Sequence, residues 1–232
     1  MYRNVLKEIF PVLLFLLLAT ALIGITGIDL KIASQFYIDG GWPIGQLPFW
    51  RFFYDLNRTP AFAIALFGVG ALLMRFVRPS LLHWSRRGDF LILIVLLGPG
   101  LLVNAVFKDH WGRPRPREVR QFGGEREFQH PWQPGISGKG KSFPSGHAAA
   151  AFVTVAPYFV YRKEKKTAAR IWLIGGVAFG LLMGMARILQ GGHFLSDILW
   201  SWGMVFLCGI VLAAWLKPDK EFPVSAESAE EK

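Results

Sequence analysis

Six stretches of this chain run apolar for nearly the thickness of a bilayer's hydrocarbon core, at residues 9–28, 60–77, 89–107, 147–161, 170–189 and 198–216. A helix rising about 1.5 Å per residue needs about 20 residues to cross that core. Lipid offers no partners for bare backbone groups, so runs of this kind fold as helices, whose hydrogen bonds are internal. With 53% of the 232 residues hydrophobic and 18% charged, little sequence remains for a separate soluble domain. The expected fold is an all-α integral membrane protein, with six transmembrane helices in one bundle over residues 1–217. An acidic, disordered cytoplasmic tail is expected at 218–232, ending Ser-Ala-Glu-Ser-Ala-Glu-Glu-Lys.

The first run has features of a secretion signal: Arg3 and Lys7 precede it, and Ala19-Thr20-Ala21 imitates a cleavage site. Its apolar stretch exceeds the roughly 7–15 residues of a signal core, so an uncleaved helix is expected. The single cysteine, Cys208, falls inside the last run, which excludes a disulfide framework and a cysteine metal site.

A net charge of +10 would point to nucleic acid in a soluble chain, but here the charges sit in short connections between runs. Arg3 and Lys7, then Arg75, Arg78, Arg86 and Arg87, then Arg162, Lys163, Lys165, Lys166 and Arg170, then Lys217 and Lys220 occupy alternate connections. By the positive-inside rule those connections and both termini are cytoplasmic. The outer connection at 29–58 is neutral, with Lys31, Arg51 and Arg58 against Asp29, Asp39 and Asp55. Its aromatic crowd, Phe49, Trp50, Phe52, Phe53 and Tyr54, shows no clean helical stripe and is read as a headgroup-layer anchor. The second outer segment, 108–146, carries eight Lys or Arg against four acids. That excess violates the topology rule and requires another cause.

Three clusters on this outer side supply one. Lys108 stands where the third run leaves the membrane, and Arg115-Pro116 follows after six residues, with Arg113 and Arg117 beside it. Alone, these are equally a snorkelling patch for lipid headgroups. In the second cluster Ser145 is a natural N-cap, Gly146 lets a group approach the backbone, and His147 sits in the first turn. A helix start of this kind offers N–H groups and a positive dipole end to an anion. In the third, Arg187 ends the fifth run, Gly191-Gly192 breaks the helix, and His193 and Asp197 are four apart. A carboxylate so placed can hold one ring nitrogen and leave the other to attack, although the same pair also serves as a helix cap.

Topology places all three clusters at the outer ends of spans three to six, in one shallow pocket. Three cations, a helix start, two histidines and a carboxylate suit phosphoryl transfer, in which negative charge spreads over the oxygens of the moving group. His193 and Asp197 with nearby Asp109 and His110 raise a metal site as the alternative, but the fixed cations oppose a divalent ion. No metal and no cofactor are expected.

Lys108 to Pro116 fits Lys-x6-Arg-Pro, Pro144 to His147 fits Pro-Ser-Gly-His, and Arg187, His193 and Asp197 fit Arg-x5-His-x3-Asp. In these motifs, their order and their membrane setting the chain resembles the type 2 phosphatidic acid phosphatase superfamily. Through "GPGLLVNAVFKDHWGRPRP" and "QGGHFLSD" it is most similar to the bacterial lipid A 4′-phosphatase branch. One departure is Ala186, where many members have Ser before the third motif's Arg; it removes a hydroxyl and no group that the chemistry requires.

The resemblance implies that His193 is the nucleophile, that Asp197 orients it, and that His147 protonates the departing alkoxide. It implies further that Lys108, Arg115, Arg187 and the Ser145–Gly146 backbone bind the phosphate, and that water hydrolyses a phosphohistidine without metal. The expected protein is a lipid phosphate phosphatase of the bacterial inner membrane, with its active site facing the periplasm. Its expected partners are a membrane lipid phosphate and water. Substrate alternatives are phosphatidylglycerophosphate, phosphatidate and a polyprenyl diphosphate, and transfer to a lipid acceptor instead of water is a variant. An anion transporter is the rival class: a basic pocket would serve it, but its sites tend to lie near the midplane of repeated halves, and it has no use for His147, His193 and Asp197.

Overall fold

The computed structural model describes residues 2–56, 58–77 and 82–219. Helix α1 (Tyr2–Thr26) gives way at Gly27, whose φ of 63° turns the chain into α2 (Ile28–Phe36). Helices α3 (Pro48–Leu56), α4 (Thr59–Val77) and α5 (Leu82–Val95) follow, and α5 continues as a π-helix over Leu96–Lys108. Helix α6 (Gly146–Phe152) is joined by a 3₁₀ turn (Val153–Val155) to α7 (Ala156–Tyr161), and α8 (Lys166–Leu189) and α9 (Leu195–Leu216) complete the chain.

Five described stretches are long and apolar enough to cross a membrane: Val5–Thr26, Pro48–Met74, Trp84–Lys108, Lys166–Leu189 and Leu195–Leu216. The run expected at 147–161 is helical but shorter, in consecutive pieces of 7, 3 and 6 residues. It is the most enclosed part of the bundle, because its run Ala148–Ala151 is small enough for neighbours to close around it. Phe152, in the same segment, packs so tightly on α8 that a Cβ added at Gly180 would stand 2.0 Å from its ring. Helices in lipid gain little hydrophobic drive from one another, so contact of this kind between small and large residues holds the bundle. Outward-facing Leu6, Phe10, Leu17, Leu22, Phe62 and Leu66 are exposed, as side chains that meet acyl chains are.

The basic connections read as cytoplasmic gather at one end. Arg87 pairs with Glu164 at 2.7 Å, Arg162 with Glu8 at 2.6 Å, and Arg162 and Lys163 both with Asp219, at 3.2 and 2.9 Å. Arg87 Nε also donates to the Pro218 carbonyl, so the first two residues of the expected tail pack against the bundle. Arg78, Lys220 and the rest of the tail lie outside the described residues. Along α5, α6–α7 and α9 these charges mark one end, and Lys108, His147 and His193 mark the other.

That second end is more structured than its composition suggests. The aromatic stretch read as lacking a helical stripe forms α3, which buries Phe53 against Ala151, Met183 and Ala186 and leaves Phe49 and Phe52 exposed. The stripe expected to be absent is present, since Trp50, Phe53 and Leu56 recur at helical spacing and turn one face to α8. The Gly- and Pro-rich segment after Lys108 folds into a cap. Arg120 N donates to Arg126 O at 2.8 Å and Arg126 N to Glu118 O at 2.9 Å, while Val119 and Phe122 join Ala33 of α2 and Phe194 in a second core.

Candidate active site

Each predicted residue is placed by a local device. Lys108 is the last residue of the π-helix. A Cβ built on Gly146 would lie 3.0 Å from the Lys108 ammonium nitrogen and 2.5 Å from Asn104 Oδ1, so glycine is what lets the first two motifs touch. Ser145 caps α6, its hydroxyl accepting from Ala148 N at 3.4 Å. Its own N–H donates to Ser201 Oγ at 2.8 Å, which ties the start of α6 to α9.

At the end of α8 the Gly191 and Gly192 N–H groups donate to the Ile188 and Arg187 carbonyls, both at 2.9 Å. Gly191 has φ 60°, and an added Cβ would stand 2.3 Å from the Trp42 ring, so glycine is required there both by backbone conformation and by space. This turn holds the Arg187 guanidinium, which donates to Gln190 and lies 4.7 Å over the Tyr54 ring. Tyr54 in turn stacks on the His147 imidazole, with centroids 5.2 Å apart and planes 15° apart. Arg115 and Arg187 each keep a buried Nε–H without a partner among the described residues. Donors buried unpaired are costly, and at both arginines an anion's oxygens would satisfy them. Burial and then Arg117 lower the Arg115 pKa from its ordinary value, but an arginine stays charged.

At His193, the expected nucleophile, the geometry corrects one expectation. His193 Nδ1 lies 2.6 Å from the Ser142 carbonyl, whereas Asp197 Oδ2 is 3.7 Å away, beyond a hydrogen bond. A carbonyl only accepts, so Nδ1 carries the proton and Nε2 keeps a free lone pair. Asp197 acts one step back. Its Oδ2 accepts from Ser142 Oγ at 2.6 Å and from Phe194 N at 2.8 Å, and its Oδ1 accepts from Arg113 at 2.5 Å. Helix α9 starts two residues after His193, so the two side chains do not share a helical face; Asp197 caps the helix and steers Ser142. Burial, with Arg187 and Lys108 acting in the same direction against Asp197, pushes the His193 pKa down to about 3. The imidazole is therefore neutral and nucleophilic at neutral pH. Among the described residues no three His, Cys, Asp or Glu side chains converge as a metal site.

The structure thus brings Lys108 to Gly146, Arg187 through Tyr54 to His147, and His193 through Ser142 to Asp197. The sequence does not single out Ser142, Tyr54 or Asp29, and it leaves Arg113 between a supporting group behind the phosphate ligands and a headgroup contact. Arg113 is fully buried behind His193, paired with Asp197 and with Asp29, which is the first of these.

A sequence profile of the PAP2 superfamily, the type 2 phosphatidic acid phosphatases, matches residues 89–221, a span that contains all three motifs. The chain belongs to the PAP2 superfamily. A lipid A 4′-phosphatase of Francisella tularensis subsp. novicida is 34% identical to this PAP2 chain over 208 residues, covering 84% of it and 89% of the relative. A lipid A 4′-phosphatase of Rhizobium leguminosarum is 37% identical over 111 residues, covering 47% of this chain and 46% of the relative. The fold is shared with the crystal structure of a transmembrane PAP2-type phosphatidylglycerolphosphate phosphatase from Bacillus subtilis. That match has a TM-score of 0.52 and 19% identity, covering 93% of this chain and 98% of the other. The PAP2 chain is accordingly a multi-pass membrane protein whose named relatives are phosphatases.

Proposed function

We propose that this PAP2 protein is a metal-independent lipid phosphate phosphatase that removes a phosphate monoester from an anionic membrane lipid, with lipid A 4′-phosphate as the preferred substrate. The observation that carries the reading is the Ser142 carbonyl on His193 Nδ1, which frees Nε2 at a site where Arg115 and Arg187 hold unpaired N–H donors. In this reading His147 takes a proton from solvent when the phosphate dianion enters the cationic site; His193 Nε2 then forms a bond to phosphorus as the bond to the lipid oxygen breaks, and the His147 imidazolium protonates the departing alkoxide. Lys108, Arg115, Arg187 and, of the Ser145–Gly146 backbone, the Gly146 N–H stabilise the three equatorial oxygens, since the Ser145 N–H is already given to Ser201. Water, deprotonated by His147, then attacks the phosphohistidine, releasing phosphate and restoring the free imidazole.

Counting Gly146–Tyr161 as a crossing gives six, places both termini in the cytoplasm, and faces the site to the periplasm of the inner membrane at headgroup depth. The lipid A assignment is supported by the 34% identity to the Francisella enzyme across most of both chains. The test is phosphate release by purified protein from lipid A, phosphatidylglycerophosphate, phosphatidate and a polyprenyl diphosphate, each with and without EDTA. The expected result is fastest release from lipid A, unchanged by EDTA. Faster release from another lipid would reassign the substrate, and inhibition by EDTA would refute metal independence. Label appearing on a second lipid instead of as free phosphate would make the protein a phosphotransferase.

A further inference from the structure

The side chain of Arg113 is fully buried and shared by two carboxylates that are 168 positions apart in sequence, Asp29 and Asp197, themselves 2% and 0% exposed. Its Nη2 donates to Asp29 Oδ2 at 2.9 Å, its Nη1 to Asp197 Oδ1 at 2.5 Å and Ser196 Oγ at 2.7 Å, and its Nε to the Gln129 carbonyl at 2.8 Å. The Phe194 and Phe128 rings lie 4.6 and 5.6 Å from the guanidinium carbon. Asp29 is held as firmly: Oδ1 accepts from Ser196 N at 2.9 Å and Oδ2 from Ser196 Oγ at 2.5 Å. It sits on α2, outside the span 89–221 matched by the superfamily profile.

The charge count of this cluster gives it a consequence for catalysis. Two carboxylates and one guanidinium leave a net charge of one minus in an enclosure where charge is poorly screened. Its nearest edge, Asp197 Oδ2, is 3.7 Å from His193 Nδ1. While His193 is neutral, that charge has no counterpart inside the cluster. When Nε2 accepts the phosphoryl group and the alkoxide leaves with the bonding pair, the imidazole ring becomes cationic and the charge is matched. An interaction that is stronger in the phosphorylated state than in the resting state lowers the barrier instead of merely tightening binding. Without Asp29, Arg113 would neutralise Asp197 alone and this difference would be lost.

We infer that Asp29, acting through Arg113, is a positioning residue that leaves the charge of Asp197 available to the His193 imidazolium formed on phosphoryl transfer. The inference rests on His193 being the nucleophile. The competing view is a purely mechanical ion pair that pins the outer cap to α2 and α9.

Steady-state kinetics on lipid A in detergent micelles separate the two. Asp29→Asn is expected to lower kcat on the order of 10- to 100-fold with KM nearly unchanged, since the phosphate ligands are untouched. Arg113→Gln leaves two carboxylates by the imidazole, which also faces Arg187, Lys108, His147 and the Ser142 carbonyl. Its charged form is then favoured, so the acid limb of kcat/KM moves up towards neutral pH. The double variant Asp29→Asn/Arg113→Gln restores the net charge of one minus. It is expected to move the limb back down and to be faster than Arg113→Gln alone. A mechanical role predicts the opposite, a double variant no better than the worse single one. Wild-type kcat in folded Asp29→Asn, or an effect on KM alone, would overturn the inference. If Asp29→Asn does not purify folded, the double variant, in which no buried guanidinium is left short of a carboxylate, carries the test: a kcat no higher than that of Arg113→Gln would overturn the inference equally. His193→Ala with full activity would instead remove the nucleophile assignment beneath it. An inactive His193→Ala beside a wild-type Asp29→Asn would sink this inference alone.

Discussion

His193→Ala is expected to reduce phosphate release from lipid by on the order of 10⁴-fold or more, while leaving lipid binding and folding close to wild type. The size follows from the role. In the proposed mechanism every other group in the site stabilises charge or moves a proton, whereas the Nε2 lone pair forms the bond to phosphorus, and alanine offers no substitute. Folding is spared because the imidazole makes one described hydrogen bond, to the Ser142 carbonyl, and Ser142 keeps its bond to Asp197 when the ring is gone. Residual activity would come from Lys108, Arg115 and Arg187 holding the phosphate for direct attack by water. Phosphate release and thermal unfolding, measured on the same purified protein, check the two halves. Full, EDTA-resistant turnover would remove His193 from the mechanism.

The second large effect belongs to His147 and depends on the substrate's leaving group. With a lipid alkoxide, His147→Gln is expected to lower kcat by about 10²- to 10⁴-fold, the usual worth of a positioned general acid. With an aryl phosphate, whose departing phenolate is stable without a proton, most of that loss is expected to disappear in the phosphoryl-transfer step. The contrast separates proton donation from anion binding, because a lost phosphate contact penalises both substrates equally. Measuring kcat on lipid A and on p-nitrophenyl phosphate for wild type and variant gives the comparison. An equal loss on both would reassign His147 to binding. Its stacked Tyr54 adds a structural reason to use Gln, which keeps a planar polar group against the ring.

What could be read in the chain before its structure divides along physical lines. Apolar runs announce helices because lipid forces the backbone to satisfy itself, so α1, α4, α5 with its π extension, α8 and α9 fall where the hydropathy places them. The aromatic stretch at 48–56 was legible as a helix and was misread: Trp50, Phe53 and Leu56 recur every third residue, on one helical face, and that face packs against Met183 and Ala186. Lys108, Arg115, Ser145, His147, Arg187 and His193 could be proposed as one site because each lies in a compact cluster with its own spacing. Ser142 could not be, since the group that acts on His193 is a backbone carbonyl, and every residue has one. Asp29 could not be, because only folding brings α2 beside the start of α9. Arg113 was visible as a charge but not as a buried one, since the sequence "GRPRPR" ranks its arginines only once Arg113 is seen between two carboxylates.

The measurement closest to the centre is chemical trapping of the intermediate. Lipid A carrying radiolabelled phosphate is mixed with the protein, and the reaction is stopped in alkali, which preserves phosphohistidine, within a single turnover. The expected result is label on the wild-type protein, alkali-stable, acid-labile and confined to the peptide that contains His193, with none on His193→Ala. Protein that turns over the lipid with no label, or that carries the label on another residue, would contradict it.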